Sequence, residues 1–405
     1  MVIIEENDSR IRILDHMGEK VYIPQIQLRN LDRLAVPGKV VVVYGPRQVG
    51  KTTLVKKYLE SRKERTLLVS GDDISARQYL ESQSFLKLQA FVGQNEVVVV
   101  DEAQHVADVG LNLKILVDRM PGLRVVATGS SSFGLAQQTG EPLTGRKFTL
   151  RLFPLAQMEI ASIEQPHETD ANLESRLIYG SYPEVVTTND NERRALYLQE
   201  MVNSYLLKDI LEFEGIRHSD KLVRLLQLLA FQIGHDVSHS ELGGQLGMSK
   251  NTVDRYLDLL EKVFVICRRS GFSRNLRKEI TKSSRYYFYD HGIRNSLIRN
   301  FNPLGLRDDI GALWENYIAV ERTKFVEYTG GQTNSWFWRT YDRKEIDLVE
   351  ESNGRLTGYE IKWQDRKAKA PSDWTSAYPD AGFCVISRNN YLQFITPPGT
   401  VASEA

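Results

Sequence analysis

The sequence predicts a multidomain α/β protein whose N-terminal part contains a parallel β-sheet. Continuous apolar runs, such as the valines at 97–100, are typical of strands that are buried on both faces and covered by helices. A glycine-rich turn at 45–50 separates the apolar run 40–44 from a helical segment, as in phosphate-binding loops. With 405 residues, the chain is long enough for roughly two to four domains.

The composition limits the classes of protein to which the chain can belong. It has 52 Lys and Arg residues against 52 Asp and Glu residues, so any nucleic-acid binding must come from a local excess of positive charge. The two cysteines, Cys267 and Cys384, give neither a disulfide framework nor zinc-ligand spacing, which indicates a reducing, cytoplasmic environment. Residues 1–8 lack a signal-peptide core and no apolar run approaches the ~20 residues that span a bilayer, so we expect no membrane partner.

Residues 45–52 are the most specific motif of the chain, a glycine-rich loop that leads from a strand into a helix. Gly45 and Gly50 allow the backbone to curl and to direct several N–H groups at one phosphate. The helix start adds partial positive charge, Lys51 can reach the β- and γ-phosphates, and the Thr52 hydroxyl can bind Mg²⁺. A chance glycine loop is the weaker alternative, because the strand–loop–helix context is present. We therefore expect a nucleotide to contact Gly45, Pro46, Arg47, Gln48, Val49, Gly50, Lys51, Thr52 and Thr53.

Two acidic residues, Asp101 and Glu102, end the valine run 97–100. The carboxyl end of a buried parallel strand lies at the same sheet edge as the glycine-rich loop. Asp101 is suited to hold Mg²⁺ and Glu102 to polarise an attacking water, whereas a solvated strand end is the structural alternative. Together, the loop and this acidic pair resemble the motifs of P-loop ATPases that carry a catalytic glutamate beside the second-motif aspartate. That group includes the AAA+ and STAND classes.

The resemblance implies roles for further residues. In such ATPases a polar residue at the end of the fourth strand senses the γ-phosphate, and the candidates are Thr128 and Ser130, with a plain serine-rich turn as the alternative. Arg146 is a candidate transition-state arginine for its own site or for a neighbouring subunit, and a surface arginine is the alternative. If Arg146 acts on a neighbour, the protein must form a homo-oligomer.

Between 219 and 298 the pattern predicts a winged helix-turn-helix. Helical segments at 222–229, 240–246 and 250–260 precede a pair of strands, and a glycine turn comes before the third helix. Phosphate contact with DNA is one interpretation, and packing on the rest of the protein is the other, because Asp254 and Asp258 on the third helix would repel DNA. The positive charge of this unit comes from Arg268, Arg269, Arg274, Arg277, Lys278, Lys282 and Arg285, against the single acid Glu279.

The C-terminal part contains a predicted β-hairpin that brings two carboxylates together. An Asn-Gly turn at 353–354 makes Ser352 face Arg355, and this register places Asp347 opposite Glu360. Lys362 lies on the same face by alternation. Opposed carboxylates repel, so the pattern predicts a cation between them, with Mg²⁺ or Mn²⁺ as the expected ion. Lys362 could then orient or deprotonate the attacking water, or neutralise the developing phosphate charge.

This hairpin resembles the core of PD-(D/E)XK nucleases, which implies metal-dependent DNA cleavage. The resemblance assigns catalysis to Asp347, Glu360 and Lys362, and metal binding to Asp347 and Glu360 together with a helical acid. Glu315 is the first choice for that acid and Glu321 the second. No proline precedes Asp347, which departs from the nuclease pattern. A solvated hairpin or an inactive nuclease scaffold is therefore the alternative.

Over about nine-tenths of its length, the chain resembles a prokaryotic family of AAA+-type ATPases with a C-terminal domain of unknown function. ATP with Mg²⁺ is the implied cofactor, and an ATP-driven enzyme that acts on DNA is the first hypothesis. The second is a STAND-like regulatory ATPase whose nuclease-like domain is an inactive binding platform. The expected domains are an N-terminal extension (1–35), a P-loop NTPase (AAA+-like) core with a parallel sheet (36–155), a helical lid (156–218), a winged helix-turn-helix (219–298) and a restriction-endonuclease-like α/β domain (299–405).

Overall fold

The computed structural model describes residues 22–130, 142–206, 219–273, 284–340, 342 and 344–398. Residues 1–21, which make up most of the predicted N-terminal extension, lie outside this part. The described residues form three sheets and the helices that pack on them. No helix among them is long and apolar enough to cross a membrane.

The N-terminal sheet has five strands, and every neighbouring pair is parallel, which confirms the predicted parallel sheet. Its order in space is β2-β3-β4-β1-β5. The valines of β1 and β3 are completely buried because helices cover both faces of the sheet. The elements in chain order are α1 (Gln27–Leu34), β1 (Val40–Gly45), α2 (Lys51–Glu60), β2 (Thr66–Ser70), α3 (Ile74–Leu80), α4 (Phe85–Val92), β3 (Val97–Asp101), α5 (Val109–Arg119), β4 (Arg124–Ser130) and β5 (Lys147–Arg151).

Short helices follow the sheet and lead into a second unit. Proline at the first position of α7 and again of α8 starts each helix, where its missing N–H is harmless. Asn295 of a later helix donates to the carbonyls of Leu177 and Ile178, at 3.0 and 2.7 Å, and so satisfies the C-terminal end of α7. These helices are α6 (Gln157–Ile160), α7 (Pro166–Tyr179), α8 (Pro183–Thr187) and α9 (Asn191–Glu200), with a π-helical turn at Met201–Leu206.

The second unit combines helices with a small antiparallel sheet in the order β6-β8-β7. Ser249 caps the third of its first three helices by accepting from the Thr252 N–H at 3.1 Å, and Gly247 makes the preceding turn with a φ of +58°. The elements are α10 (Ser219–Phe231), β6 (Asp236–Val237), α11 (His239–Leu246), α12 (Lys250–Lys262), β7 (Ile266–Ser270), β8 (Ser284–Phe288) and α13 (His291–Leu297).

A long helix and a four-stranded mixed sheet, ordered β12-β11-β10-β9, form the C-terminal part. The β10–β11 hairpin turns at Asn353 and Gly354, which both have positive φ, and Ser352 pairs with Arg355. The predicted hairpin register is therefore confirmed. The elements are α14 (Ile310–Thr329), β9 (Thr333–Arg339), β10 (Glu345–Ser352), β11 (Arg355–Ile361), α15 (Ser372–Ala377), β12 (Gly382–Ile386) and α16 (Tyr391–Ile395).

Candidate functional sites

The glycine-rich loop joins the carboxyl end of β1 to the start of α2, as the sequence predicts. Gly50 has a φ of +95° and precedes Lys51, so no side chain caps the first turn of α2. At Gly45, a Cβ would come within 2.1 Å of the Leu152 carbonyl oxygen, so only glycine fits there. The Lys51 Nζ donates to the carbonyls of Gly45 and Pro46, each at 2.9 Å. The amino group of Lys51 is thus buried inside the loop, which is where we expect phosphates to bind.

Two residues outside the motif, Gln25 and Tyr197, donate hydrogen bonds to the glycine-rich loop. Gln25 donates to the Val49 carbonyl at 3.0 Å, and the Tyr197 hydroxyl on α9 donates to the Gln48 side chain at 2.5 Å. Gln48 has a positive φ, so these contacts stabilise a strained backbone. Sequence reasoning missed both supports, because neither a residue before α1 nor a tyrosine on α9 carries a local signal of its tertiary partner. Among the predicted loop residues, the Thr53 side chain is exposed.

The strand ends beside the loop bring four predicted residues into one hydrogen-bonded group. The Thr52 hydroxyl donates to Asp101 at 2.7 Å, and the Thr128 hydroxyl donates to the other oxygen of the same carboxylate. Thr128 also accepts from the Glu102 N–H at 3.2 Å. Because β4 lies between β3 and β1, their carboxyl ends meet at one sheet edge. Of the two γ-phosphate sensor candidates, Thr128 belongs to this group, and Ser130 lies buried two residues further along β4.

Glu102 occupies an unusual backbone conformation directly after β3. Its φ is +51°, and its carboxylate accepts from the Gln104 side chain at 2.5 Å. Gly71 of the neighbouring chain segment passes so close that a Cβ there would lie 2.3 Å from the Glu102 carbonyl oxygen. Strained backbone of this kind is found at functional sites, where the surrounding structure enforces it. Gln104, which sequence reasoning missed, therefore fixes the direction of the Glu102 carboxylate.

Arg146 does not lie at the loop of its own chain. Its carbonyl accepts from the Val40 N–H at 2.8 Å, which places it at the amino end of β1, whereas the loop follows the carboxyl end. The intervening strand is about 16 Å long. The Arg146 guanidinium instead donates to Asp118 at 2.6 Å. Of the three alternatives for Arg146, this geometry disfavours a role at its own site and leaves the neighbouring subunit and the surface arginine, because parallel pairing of β5 with β1 puts the residue before β5 at the far edge.

Glu315 of α14 and two carboxylates of the hairpin, Asp347 and Glu360, form a group that we call the C-terminal carboxylate cluster. Pairing of Leu348 with Tyr359 puts Asp347 across from Glu360, and Asp347 accepts from the Ile361 N–H at 2.8 Å. Burial, and then the Glu360 charge, raises the pKa of Asp347. Burial, and then the Asp347 charge, raises the pKa of Glu315. The negative charges of these carboxylates therefore repel one another, and a cation between them would be favourable.

Protein side chains supply that cation. The Lys362 Nζ lies 2.6 Å from Glu360, and the Arg285 Nη1 lies 3.6 Å from Glu315 and 4.0 Å from Asp347. Across the described ranges, no three or more His, Cys, Asp and Glu side chains are grouped so that they could hold a metal ion. The predicted metal set of Glu315, Asp347 and Glu360 is corrected accordingly, because Arg285 and Lys362 divide these acids between them.

The second-choice helical acid, Glu321, lies elsewhere. It accepts from the Gln157 N–H at 2.6 Å and from Lys324 at 2.7 Å, and all three groups are buried. These contacts join α14 to the segment that follows the N-terminal sheet. Glu321 therefore helps to join two parts of the protein and has no place in the C-terminal carboxylate cluster.

Several basic residues of the predicted winged unit are used for packing. Arg269 is buried and donates to the Ala319 carbonyl at 3.0 Å and to Thr323 at 2.8 Å, while Arg285 enters the C-terminal carboxylate cluster. Arg268 donates to Ser284 at 2.8 Å. The expectation that Arg269 and Arg285 bind phosphates is thus corrected, because α14 and the C-terminal sheet cover them. The other four residues of that set, Arg274, Arg277, Lys278 and Lys282, lie outside the described residues.

Comparison with known families divides the chain into three matches. Residues 37–161 match a family model described as an AAA domain. Residues 170–304 and 310–395 match two domains of unknown function, DUF8612 and DUF4143. The AAA match covers the parallel sheet, the glycine-rich loop and the Asp101 group. The chain therefore contains a P-loop AAA-like ATPase domain.

Relatives and solved structures extend over more of the chain. An uncharacterized protein of Mycobacterium tuberculosis is 29% identical over 329 residues, which cover 80% of this chain and 70% of the relative. An uncharacterized protein of Haemophilus influenzae is 24% identical, with 76% and 79% covered. A Walker-type ATPase of Pyrococcus abyssi has a TM-score of 0.45 at 18% identity, covering 67% of this chain and 94% of that structure. The RuvB branch migration motor of Thermotoga maritima has a TM-score of 0.30 at 18% identity, with 61% and 90% covered.

The Thr128 hydroxyl provides the first test of the site. We expect Thr128→Val to lower the ATP turnover number about tenfold to a hundredfold, because it removes the hydrogen bonds to Asp101 and to the Glu102 N–H. Thr128→Ser keeps the hydroxyl and should stay within about threefold of the wild type. Thr149→Val, on exposed β5 of the same sheet, is the matched control. Phosphate release measures the effect, and unchanged turnover in Thr128→Val would contradict a role for Thr128 in hydrolysis.

Proposed function

We propose that the protein binds and hydrolyses ATP and that it acts on DNA, with a nuclease-like domain at its C-terminal end. The observation that carries the first part is the Thr52–Asp101–Thr128–Glu102 group beside the glycine-rich loop. The proposed domains keep the boundaries predicted from the sequence, with the P-loop core at 36–155 and the winged helix-turn-helix at 219–298. Two domains without assigned function make up the rest of the matched chain.

The residues at the loop fit ATP and Mg²⁺. The uncapped start of α2 leaves backbone N–H groups to meet phosphate oxygens, and buried Lys51 adds a positive charge. Thr52 and Asp101 offer the two oxygen donors that would hold Mg²⁺, which supplies neutralisation of phosphate charge when bound. Lys51 must leave the carbonyls of Gly45 and Pro46 to reach the phosphates, so nucleotide binding exchanges contacts within the loop for contacts to the ligand.

Glu102 is the proposed general base for the attacking water. Its positive φ turns its carboxylate out of the strand direction, and Gln104 holds one of its oxygens. Thr128 fixes the Glu102 backbone from the neighbouring strand. Water activation at a site whose base is held in place needs little reorganisation during the reaction.

The proposed action on DNA rests on the exposed face of α12. The two acids that would repel DNA, Asp254 and Asp258, each have a basic partner. Asp254 is hydrogen-bonded to His239, and the carboxylate of Asp258 lies 2.6 Å from the Lys262 Nζ. Lys250, Asn251 and Arg255 are exposed on this helix. One amide and two cations on an exposed helical face suit phosphate and base contacts.

A second candidate, a regulatory ATPase with an inactive nuclease-like domain, is favoured by one observation. Arg285 lies between Glu315 and Asp347, where a nuclease would need a metal. In this alternative the nucleotide state controls a partner, and the C-terminal domain only binds. DNA-dependent ATP turnover distinguishes the two candidates.

The roles assigned to Lys51 and Glu102 predict two different defects. Lys51→Ala should abolish ATP binding, because it removes the buried positive charge of the loop. Glu102→Gln should bind ATP within about threefold of the wild type, because its role is confined to hydrolysis, and should lower turnover at least about a hundredfold. Fluorescent-nucleotide binding and phosphate release measure the two steps. Wild-type turnover in Glu102→Gln would contradict the role of that residue as the base.

The exposed face of α12 provides the test of DNA action. We expect duplex, flap or junction DNA to bind in a salt-dependent manner and to raise ATP turnover several-fold. The double variant Lys250→Glu and Arg255→Glu should weaken this binding at least about tenfold and reduce its salt dependence, because two phosphate contacts are lost. Lys87→Glu, an exposed charge reversal on α4, should behave like the wild type. If none of these DNA structures binds, the regulatory candidate is favoured.

A further inference from the structure

Arg285 contacts four carboxylates at the junction between the second unit and the C-terminal sheet. Its guanidinium lies 3.1 Å from Asp236 and 2.7 Å from Glu345, in addition to its contacts with Glu315 and Asp347. Only 3% of its side chain is exposed. A buried guanidinium is favourable only when several acceptors compensate for its lost hydration, and here four carboxylates do so.

The position of the guanidinium is fixed from several directions. It stacks over the Phe337 ring of β9 at 4.5 Å, and its backbone pairs with Asp236 on one side and with Arg269 on the other. Tyr287 lies two residues further along β8, on the same face, and donates to Glu315 at 2.7 Å. One face of β8 therefore covers the C-terminal carboxylate cluster with two side chains, and the contacts of the strand on both sides hold them there.

This placement is incompatible with a metal ion between Glu315 and Asp347. An ion bound to both carboxylates would lie roughly 2.1 Å from their oxygens, in the space that the N–H groups of Arg285 fill. Two positive charges in contact at a buried site also repel strongly. We infer that Arg285 is the resident cation of the Glu315–Asp347 pair and that it excludes a divalent metal from this pair for as long as β8 stays docked, an inference that rests on the proposed nuclease-like character of this site.

The inference makes the nuclease-like site a closed one. Metal binding and β8 docking compete for the same carboxylates, so by linkage each weakens the other. Any partner that draws the β7–β8 pair away from the C-terminal sheet, such as DNA bound to the proposed winged unit, would open the cluster to metal. The winged unit would then both contact DNA and control the access of metal to the C-terminal carboxylate cluster.

Manganese binding tests the inference directly. In nucleotide-free, full-length protein, Arg285→Gln should bind one Mn²⁺ per chain at least tenfold more tightly than the wild type, as measured by calorimetry. The double variant with Asp347→Asn should lose this gain, which assigns the ion to the cluster. Arg339→Gln is the matched control, because Arg339 contacts Asp236 at 2.6 Å and does not lie between Glu315 and Asp347. Control affinity should equal that of the wild type.

The remaining outcomes separate this inference from the proposed nuclease activity. Asp347-dependent binding of Mn²⁺ by the wild type, as tight as in a folded Arg285→Gln variant, would overturn the inference and leave a nuclease-like site in place. Tight binding by Arg285→Gln without nicking of plasmid, flap or junction DNA would support the inference and refute cleavage. If Arg285→Gln does not fold, Arg285→Lys removes the planar guanidinium and should bind Mn²⁺ more tightly than the wild type; affinity equal to the wild type would overturn the inference.

Discussion

The carboxylate of Asp101 is the group on which the nucleotide site depends. Each of its oxygens accepts a hydrogen bond from a hydroxyl group, one from Thr52 at the start of α2 and the other from Thr128 on β4. The bond to Thr128 also positions the backbone of Glu102, so a single carboxylate links the loop, the neighbouring strand and the proposed base. It can do so only because the parallel order β3-β4-β1 brings these chain segments to one edge.

Helix α14 joins this domain to the C-terminal sheet. Toward the N-terminal sheet, Tyr328 accepts from the Phe153 N–H at 3.0 Å and Glu327 lies 3.2 Å from Arg151. About 20 Å away along the same helix, Glu315 belongs to the C-terminal carboxylate cluster. One helix thus contacts both the segment after the N-terminal sheet and the C-terminal carboxylate cluster. Arg151 ends the strand beside β1, so α14 contacts the sheet close to the glycine-rich loop.

Sequence reasoning succeeded where short-range geometry decides the structure. The glycine-rich loop and the Asn353–Gly354 turn each specify their own backbone, and the register of β10 with β11 follows from the turn by counting. The parallel sheet follows from valine runs that only double-sided burial explains. Such features depend on residues a few positions apart, which one sequence displays.

The errors arose where contacts join distant parts of the chain. Arg285 belongs to a basic run that suggests an exposed wing, and its burial depends on docking against residues 345–347, about sixty positions away. The expected metal set overlooked Arg285 for the same reason, because this residue of β8 lies close to Glu315 and Asp347 but far from Asp347 in the sequence. The place of Arg146 was left open because the valine runs predict a parallel sheet but do not show that β5 pairs beside β1.

The most direct measurement of the central claim is ATP turnover by an Asp101→Asn variant beside the wild type, with ATP binding measured in parallel. The account predicts that the wild type hydrolyses ATP with Mg²⁺ over many turnovers. The variant should lose at least about a hundredfold in turnover and still bind nucleotide, because one neutral amide can neither hold Mg²⁺ nor accept both hydroxyls. Turnover by Asp101→Asn at the wild-type rate, or a wild type that binds ATP and never hydrolyses it, would contradict the account.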